Sequence, residues 1–317
     1  MAGEAAISPP YCKHRISQSP SQRRMTVYSI HVWSRINQSA PMLTSNLIYA
    51  IGDVHGRLDL LTALLDFVAT DATRRRQEPK VIFLGDIVDR GPDNKWCIEL
   101  VASTLARWPK SRLILGNHDD WFLRVLGTDN PDSAAVASWV RNGGLSTLYN
   151  YDYEADLRMA RAAVKIDYQH HVSLFQGASL LEIDGPFAFV HAGVDPERPI
   201  DHQERADCLS IRKPFLEYPE RLSHIVVHGH TITDTRRPLV THSRIALDTG
   251  AYGTGHLTTL IIDPVSDSLE FAWTVQSSSE ITVDFIDPDF TDVPEGLRGH
   301  FERIGCAAIG AVARAGF

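Results

Sequence analysis

The 317-residue chain carries 31 Lys and Arg against 39 Asp and Glu, a formal net charge of −8, with 44% hydrophobic and 22% charged residues. That balance suits a soluble globular protein with a full core, and it excludes a polyanion-binding surface built on bulk charge, so no nucleic-acid partner is expected. No apolar run reaches the roughly 20 residues of a membrane span, and Cys12, Cys97, Cys208 and Cys306 form no CxxC pair, which argues against a disulfide framework or thiolate zinc site and suits a reducing cytoplasm.

Residues 1–41 hold Pro9-Pro10, many Ser and Gln, and Lys13, Arg15, Arg23, Arg24 and Arg35 against the single acid Glu4. They read as a disordered extension; a transit peptide, or a translation start at Met42, are alternative readings of the same stretch. From Leu47 the pattern turns regular. Strand Leu47 to Ile51, turn Gly52 to Gly56 and a helix through Leu58, Leu61, Leu64, Leu65 and Val68 make one βα unit. A second runs from strand Val81 to Leu84 through Gly85 to Gly91 into a helix bearing Trp96, Ile98, Leu100, Val101 and Leu105. A third has strand Arg112 to Leu115, turn Gly116 to Asp119 and a helix bearing Trp121, Phe122, Val125 and Leu126. Three such alternations imply right-handed crossovers and a parallel sheet.

Residues 129–176 lack strand signals and read as a helical insertion that could overhang the site. Strands resume at Ala178 to Ile183, Phe187 to Val190, His224 to Val227, Arg244 to Leu247, Leu257 to Ile262 and Leu269 to Thr274. With few helices between them, they are expected to form a mixed or antiparallel sheet packed on the first. The chain is thus read as one catalytic domain over residues 42–275, followed by a linker-like tail, 276–317, whose Leu297 to Val312 could be a short helix.

Five short motifs end these strands, and each holds ligand-type side chains: Asp53-x-His55, Asp86 with Asp89, Asn117-His118, His191, and His228-Gly229-His230. Two residues apart on extended backbone, Asp53 and His55 point the same way. Any one motif alone reads as a turn, but turns need Gly, Asn and Asp rather than recurrent His. Carboxylate, imidazole and amide oxygen without thiolate suit Mn²⁺, Fe or Zn²⁺ better than Ca²⁺. The candidates exceed what one ion needs. Two ions sharing a carboxylate, roughly 3.5 to 4 Å apart, would serve phosphoester hydrolysis.

The series GDVHG, GDIVDRG, GNHD, HAG and HGHT, from about Leu47 to Ile262, resembles the metal-dependent phosphoprotein phosphatases, bacterial type, within the calcineurin-like metallophosphoesterases. The resemblance implies an α/β fold, the four-layer α/β/β/α sandwich, with direct attack by a metal-bridging hydroxide and no covalent enzyme intermediate. It implies Asp53, His55 and Asp86 on one ion, and Asp86, Asn117, His191 and His230 on the other, with Asp86 bridging. His118 matches the general acid, Asp89 the carboxylate that orients it, and Arg90 a phosphate-binding guanidinium. In the segment Asp207 to Leu216, Arg212 is the candidate second phosphate arginine, with Ser210 where the bacterial pattern has Trp. His228 falls outside the ligand set. Tyr252, in Asp248-Thr249-Gly250-Ala251-Tyr252, could touch the phosphate, while Asp248 reads as a turn residue. Asp119 departs from the Glu of eukaryotic relatives.

The expected activity is a cytoplasmic phosphatase acting on phosphoserine or phosphothreonine in a phosphoprotein or small phosphoester, with two divalent ions, Mn²⁺ first. A symmetrical dinucleoside polyphosphate hydrolase and a phosphotyrosine-preferring enzyme share the fold. Asp89 tips the balance toward phosphomonoesters, because the dinucleotide enzymes resemble GDLVARG at that stretch. A silent scaffold of the same fold would be expected to lose ligands that this chain keeps.

Overall fold

The structure, a computed structural model, describes Tyr28–Ser29 and residues 46–291. Its first sheet has seven strands in the order β1 (Tyr28–Ser29), β11 (Ser268–Gln276), β10 (Thr258–Asp263), β2 (Leu47–Ile51), β3 (Pro79–Phe83) and β4 (Arg112–Leu113), with β12 (Ile281–Phe285) also pairing β11. The second runs β13 (Asp289–Phe290), β8 (Leu239–Val240), β9 (Arg244–Ala246), β7 (Ile225–His228), β6 (Phe187–Val190) and β5 (Leu181–Asp184).

The alternation of side chains along a strand builds the layers. Leu47, Tyr49 and Ile51 of β2 face one way, into a core shared with Leu61, Leu64 and Val68 of helix α1 (Leu58–Arg75) and with Ile98 and Val101 of helix α2 (Asn94–Arg107). Ile48 and Ala50 face the other way, meeting Phe187 and Phe189 of β6 and Ile245 of β9. Val190 and Val226 then pack outward against Cys208 of helix α8 (Arg205–Ser210) and Phe215 of helix α9 (Lys213–Leu216). Helices, two mixed sheets and helices again form the expected four-layer α/β/β/α sandwich.

β2, β3 and β4 are parallel, as the βα units require. Helix α3 (Asn117–Val125) follows β4 directly. The insertion is helical throughout its ordered elements: α4 (Ser133–Trp139), α5 (Leu145–Tyr151), α6 (Leu157–Ile166) and α7 (Gln169–Gln176). Asp132 and Asp156 start α4 and α6 by accepting backbone N–H bonds from Ala135 and from Arg158 and Met159, a capping role suited to a short carboxylate.

Three expectations are corrected. Leu257 to Ile262 and Leu269 to Thr274 belong to the first sheet, not the second: β10 is buried along its whole length and pairs antiparallel with β2, which makes that sheet mixed. The tail is not a linker up to Thr291, because Ile281, Val283 and Phe285 pack toward the first core and Asp289 and Phe290 pair with β8. Within the extension expected to be disordered, Tyr28 and Ser29 pair with Leu269 and Ser268. The remainder of that extension, Met42 included, and the helix expected over 297–312 lie outside the described residues. Among the described residues no helix is long and apolar enough to cross a membrane.

Candidate metal centre and phosphate cleft

Strand ends from both sheets converge on one point. β2 delivers Asp53 and His55, β3 delivers Asp86, Asp89 and Arg90, and β4 leads into Asn117 and His118 at the start of α3; β6 ends just before His191 and β7 two residues before His230. Asp53, His55, Asp86, His118 and His191 are all at most 2% exposed. Open α/β sheets place their chemistry at this edge.

The backbone is bent hard to aim these groups. His55, Asp86, Asp89, Arg90 and His230 all have left-handed φ, between 48° and 74°. Each such non-glycine residue costs of order 1–3 kcal/mol and persists only where its surroundings enforce it. Asp119 supplies part of that enforcement, accepting from the N–H of Ile87 at 2.9 Å and of Gly116 at 3.0 Å, so it stitches two of the turns together. Gly116 cannot be larger, because a Cβ there would lie 2.1 Å from the Asp86 nitrogen.

The imidazoles are set as ligands. His55 donates Nδ1–H to the Val88 carbonyl at 2.8 Å, and His191 does the same to Leu84 at 2.8 Å, which leaves the Nε2 lone pair of each pointing inward. Burial pushes His55 and His230 down to about 3 and lowers His191, so all three are neutral near pH 7. Nε2 of His55 and Nε2 of His230 are buried without any hydrogen-bond partner. Two buried imidazole nitrogens without partners in one centre are costly unless a cation takes them. Asp86 lies between the two sets, its Oδ2 3.5 Å from His55 Nε2 and its Oδ1 3.4 Å from His191 Nε2. Burial alone would raise its pKa, but the surrounding imidazoles hold it well below the usual carboxylate range.

Two ligand clusters therefore share Asp86: His55 and Asp86 with His118, and Asp86 with His191 and His230. Asn117 joins the second through its Oδ1, 3.0 Å from His191 Nε2. Asp53 takes a different position. Its oxygens accept from the His230 N–H at 3.0 and 3.1 Å, and burial together with Asp248 and Asp86 raises its pKa. Asp248 accepts the Gly250 N–H at 2.9 Å, as a turn residue does, and is also 2% exposed, raises the pKa of Asp53, and is itself pushed up to about 6 by burial. A crowd of buried carboxylates beside buried lone pairs fits divalent cations, and the donor set could hold two. A third cluster, Glu99, His170 and His171, lies on α2 and α7.

His118 is held differently from the other imidazoles. Its Nδ1–H donates to Asp89 Oδ2 at 2.6 Å, and its Nε2 faces the guanidinium of Arg90 at 3.2 Å. Burial would lower its pKa, but Asp86 and Asp89 outweigh that and raise it. Arg90 also lies over the Tyr252 ring, 4.8 Å from its centroid, and that ring meets His55 edge-on at 5.6 Å. Arg212, exposed, donates to Thr231 at 3.1 Å beside His230. His228 stays out of the cluster, bonded to the Gly229 carbonyl and packed against Phe215.

An open cleft of about 880 Å³ leads to this centre, lined by Arg90, Arg124, Arg205 and Arg212 with one carboxylate, Asp120, and the indole of Trp121. Arg124 and Arg205 were not singled out from the sequence; they are separated by 81 positions (205 − 124) and meet only through the fold. Trp139, Gly143 and Thr147 of the insertion were also missed, although they contact Asp89 and Arg90 directly.

Comparison with known proteins agrees with this geometry. Residues 47–250 match the model of the calcineurin-like phosphoesterases. An asymmetrical bis(5'-nucleosyl)-tetraphosphatase of Anoxybacillus flavithermus is 26% identical over 231 residues, 66% of this chain and 88% of that protein. A symmetrical bis(5'-nucleosyl)-tetraphosphatase of Methylococcus capsulatus is 30% identical over 149 residues, 47% of this chain and 44% of that one, so the chain spans under half of this second relative. A crystal structure assigned provisionally as a diadenosine tetraphosphatase superposes with a TM-score of 0.50 at 19% identity, covering 76% of this chain and 94% of that one.

Proposed function

This chain belongs to the calcineurin-like phosphoesterase family, and from that premise we propose that it is a two-metal hydrolase whose substrate is a dinucleoside polyphosphate. Asp53, His55 and Asp86 would hold one ion, and Asp86, Asn117, His191 and His230 the other. Bound there, divalent ions such as Mn²⁺ would polarise the phosphoryl group and make water a nucleophile at neutral pH.

The cleft carries the substrate reading. A single phosphoryl group is satisfied by one or two guanidinium forks, here Arg90 and Arg212. Arg124 and Arg205, which share Asp120 as ion-pair partner, still leave a positive excess beyond the reacting end, which suits a longer anionic chain, and Trp121 offers an aromatic face to a base. Relatives named as bis(5'-nucleosyl)-tetraphosphatases support the same reading. The overall charge of −8 gives such a substrate no long-range attraction, so these local arginines must supply it.

One observation favours the phosphoprotein phosphatase as the second reading. His118 paired with Asp89 at 2.6 Å is an arrangement for protonating a poor leaving group, such as a serine alkoxide. A nucleotide phosphate leaves readily without that help.

Both readings are tested on one purified sample with Mn²⁺ against diadenosine tetraphosphate, phosphoserine and phosphothreonine peptides, and a phosphotyrosine peptide. A higher kcat/KM on the dinucleotide is expected, with ATP plus AMP or two ADP identifying the bond cut. Faster turnover of a phosphopeptide would replace the first reading with the second. Folded protein that turned over nothing with any metal would sink both.

A further inference from the structure

We infer that the helical insertion belongs to the catalytic machinery: Trp139 and Thr147 are positioning residues that clamp Asp89 against His118, and the Gly143 carbonyl fixes Arg90 beside them. The inference rests on the phosphoester-hydrolase reading; its kinetic test reads turnover of a phosphoserine peptide, and its spectroscopic test holds whichever substrate class is correct.

Asp89 is fully buried, so its carboxylate needs a partner for every lone pair it turns inward. His118 takes one position. The Trp139 indole Nε1–H donates to both oxygens, at 3.0 and 2.9 Å, and the Thr147 hydroxyl donates to Oδ1 at 2.5 Å. Thr147 Oγ1 in turn accepts the Asp89 backbone N–H at 3.1 Å, so one side chain fixes both the carboxylate and the peptide that carries it. Trp139 and Thr147 are themselves 0% exposed. A buried indole can satisfy its N–H on any carbonyl; here it uses the carboxylate that holds the acid.

The next residue is pinned from the same side. Arg90 donates its backbone N–H to the Gly143 carbonyl at 3.1 Å. Gly143 has φ 106°, and a Cβ there would lie 2.7 Å from Arg90 Cγ, so only glycine permits this approach. Asp89 and Arg90, with φ of 74° and 69°, would relax without external support. Asn150 adds two further ties, accepting the Lys95 N–H at 3.0 Å and donating to the Pro92 carbonyl at 2.8 Å. The insertion is therefore docked onto the loop that carries the acid's partner.

The test compares Trp139→Phe, Thr147→Val and Thr147→Ser on esters with poor and good leaving groups, a phosphoserine peptide and p-nitrophenyl phosphate. Trp139→Phe and Thr147→Val should each lower kcat on the phosphoserine peptide about 10-fold with KM little changed, as loss of a group orienting an imidazole does. On p-nitrophenyl phosphate, whose leaving group needs no acid, the loss should be much smaller, and Thr147→Ser should restore the rate. In a His118→Asn background neither variant should lower kcat further, since both act through His118. Equal losses on the two esters, or losses that add to that of His118→Asn, would overturn the clamp. Independently of turnover, the Trp139 indole N–H resonance should move on Asp89→Asn; an unmoved resonance overturns the clamp whether or not the hydrolase reading stands.

Discussion

His118 stands apart from the other imidazoles of the centre because a carboxylate, Asp89, takes its Nδ1–H, a guanidinium, Arg90, faces its Nε2, and its pKa is raised where theirs are lowered. A nitrogen already facing a guanidinium, together with a raised pKa, suits a proton carrier better than a ligand. His118→Asn should lower kcat on a phosphoserine peptide, whose leaving alkoxide needs a proton, by about 10²- to 10⁴-fold, the usual worth of a positioned acid, while bound metal per chain stays at the wild-type value. Metal loss in elemental analysis of the variant would falsify the assignment of His118 as acid rather than ligand. The arginines predict a different split. Arg124→Ala and Arg205→Ala should each raise KM for diadenosine tetraphosphate about 10-fold, the order expected for one charge-assisted contact, and leave kinetics on p-nitrophenyl phosphate unchanged. Equal effects on both substrates would place these residues at the reacting phosphate instead. The ligand-type residues were legible because each follows an apolar strand within a few positions. Arg205, Trp139 and Thr147 were not, because nothing local marks a residue whose partner lies 50 or more positions away, as Asp89 does from Trp139; Arg124, paired with Asp120 one turn back, reads as an ordinary helix-surface charge. The turn bond of Asp248 to the Gly250 N–H was legible, but its effect on Asp53 was not, since that residue comes from the other end of the domain.

At the level of elements, α1 is fastened to the back of the first sheet by charge as well as by packing. Arg75 donates to Asp71, Asp263 and Glu270, and Gln77 adds a bond to Asp263 at 3.0 Å. Burial would raise the Asp263 carboxyl, but its bonds from Gln77, Ser266 and Arg75 outweigh that and hold it at about 2. A carboxyl depressed on folding contributes stability above its unfolded pKa of about 3.9, and that contribution fades as pH falls toward the folded value. Asp263→Asn should therefore cost on the order of 1–2 kcal/mol at pH 6, and thermal melts should show the gap to wild type closing between about pH 4 and pH 2. A gap that persisted at pH 2 would mean that Asp263 acts through shape rather than charge. The strands involved were visible as periodic apolar runs, but their partners were not. Period-2 patterning says that a segment is a strand and which face is apolar; it does not say which edge it joins. β10 and β11 were accordingly assigned to the wrong sheet, and the two-residue strands β8 and β13 are too short to show any period at all.

Across the whole molecule, the centre lies on the seam between the two sheets. Asp53, His55, Asp86 and Asn117 follow strands of the first sheet, whereas His191 and His230 follow β6 and β7 of the second. Without cations, this seam gathers buried carboxylates and two unpartnered imidazole nitrogens, an arrangement that disfavours folding. Ions that bind the folded state alone stabilise it by mass action, by about 2.7 kcal/mol at a hundredfold excess over Kd. For a domain of this size that corresponds to a rise in Tm of roughly 5 to 10 °C. Mn²⁺ added to chelator-treated protein should produce such a rise. Asp86→Asn, which removes the carboxylate common to both clusters, should abolish most of it, whereas His191→Ala should leave a partial effect through the first cluster. Glu99→Gln provides the control for the separate Glu99, His170 and His171 group. If Asp86→Asn kept the full shift and Glu99→Gln lost it, the stabilising ion would sit on the helical layer, and the seam would have to be held closed by its hydrogen bonds alone.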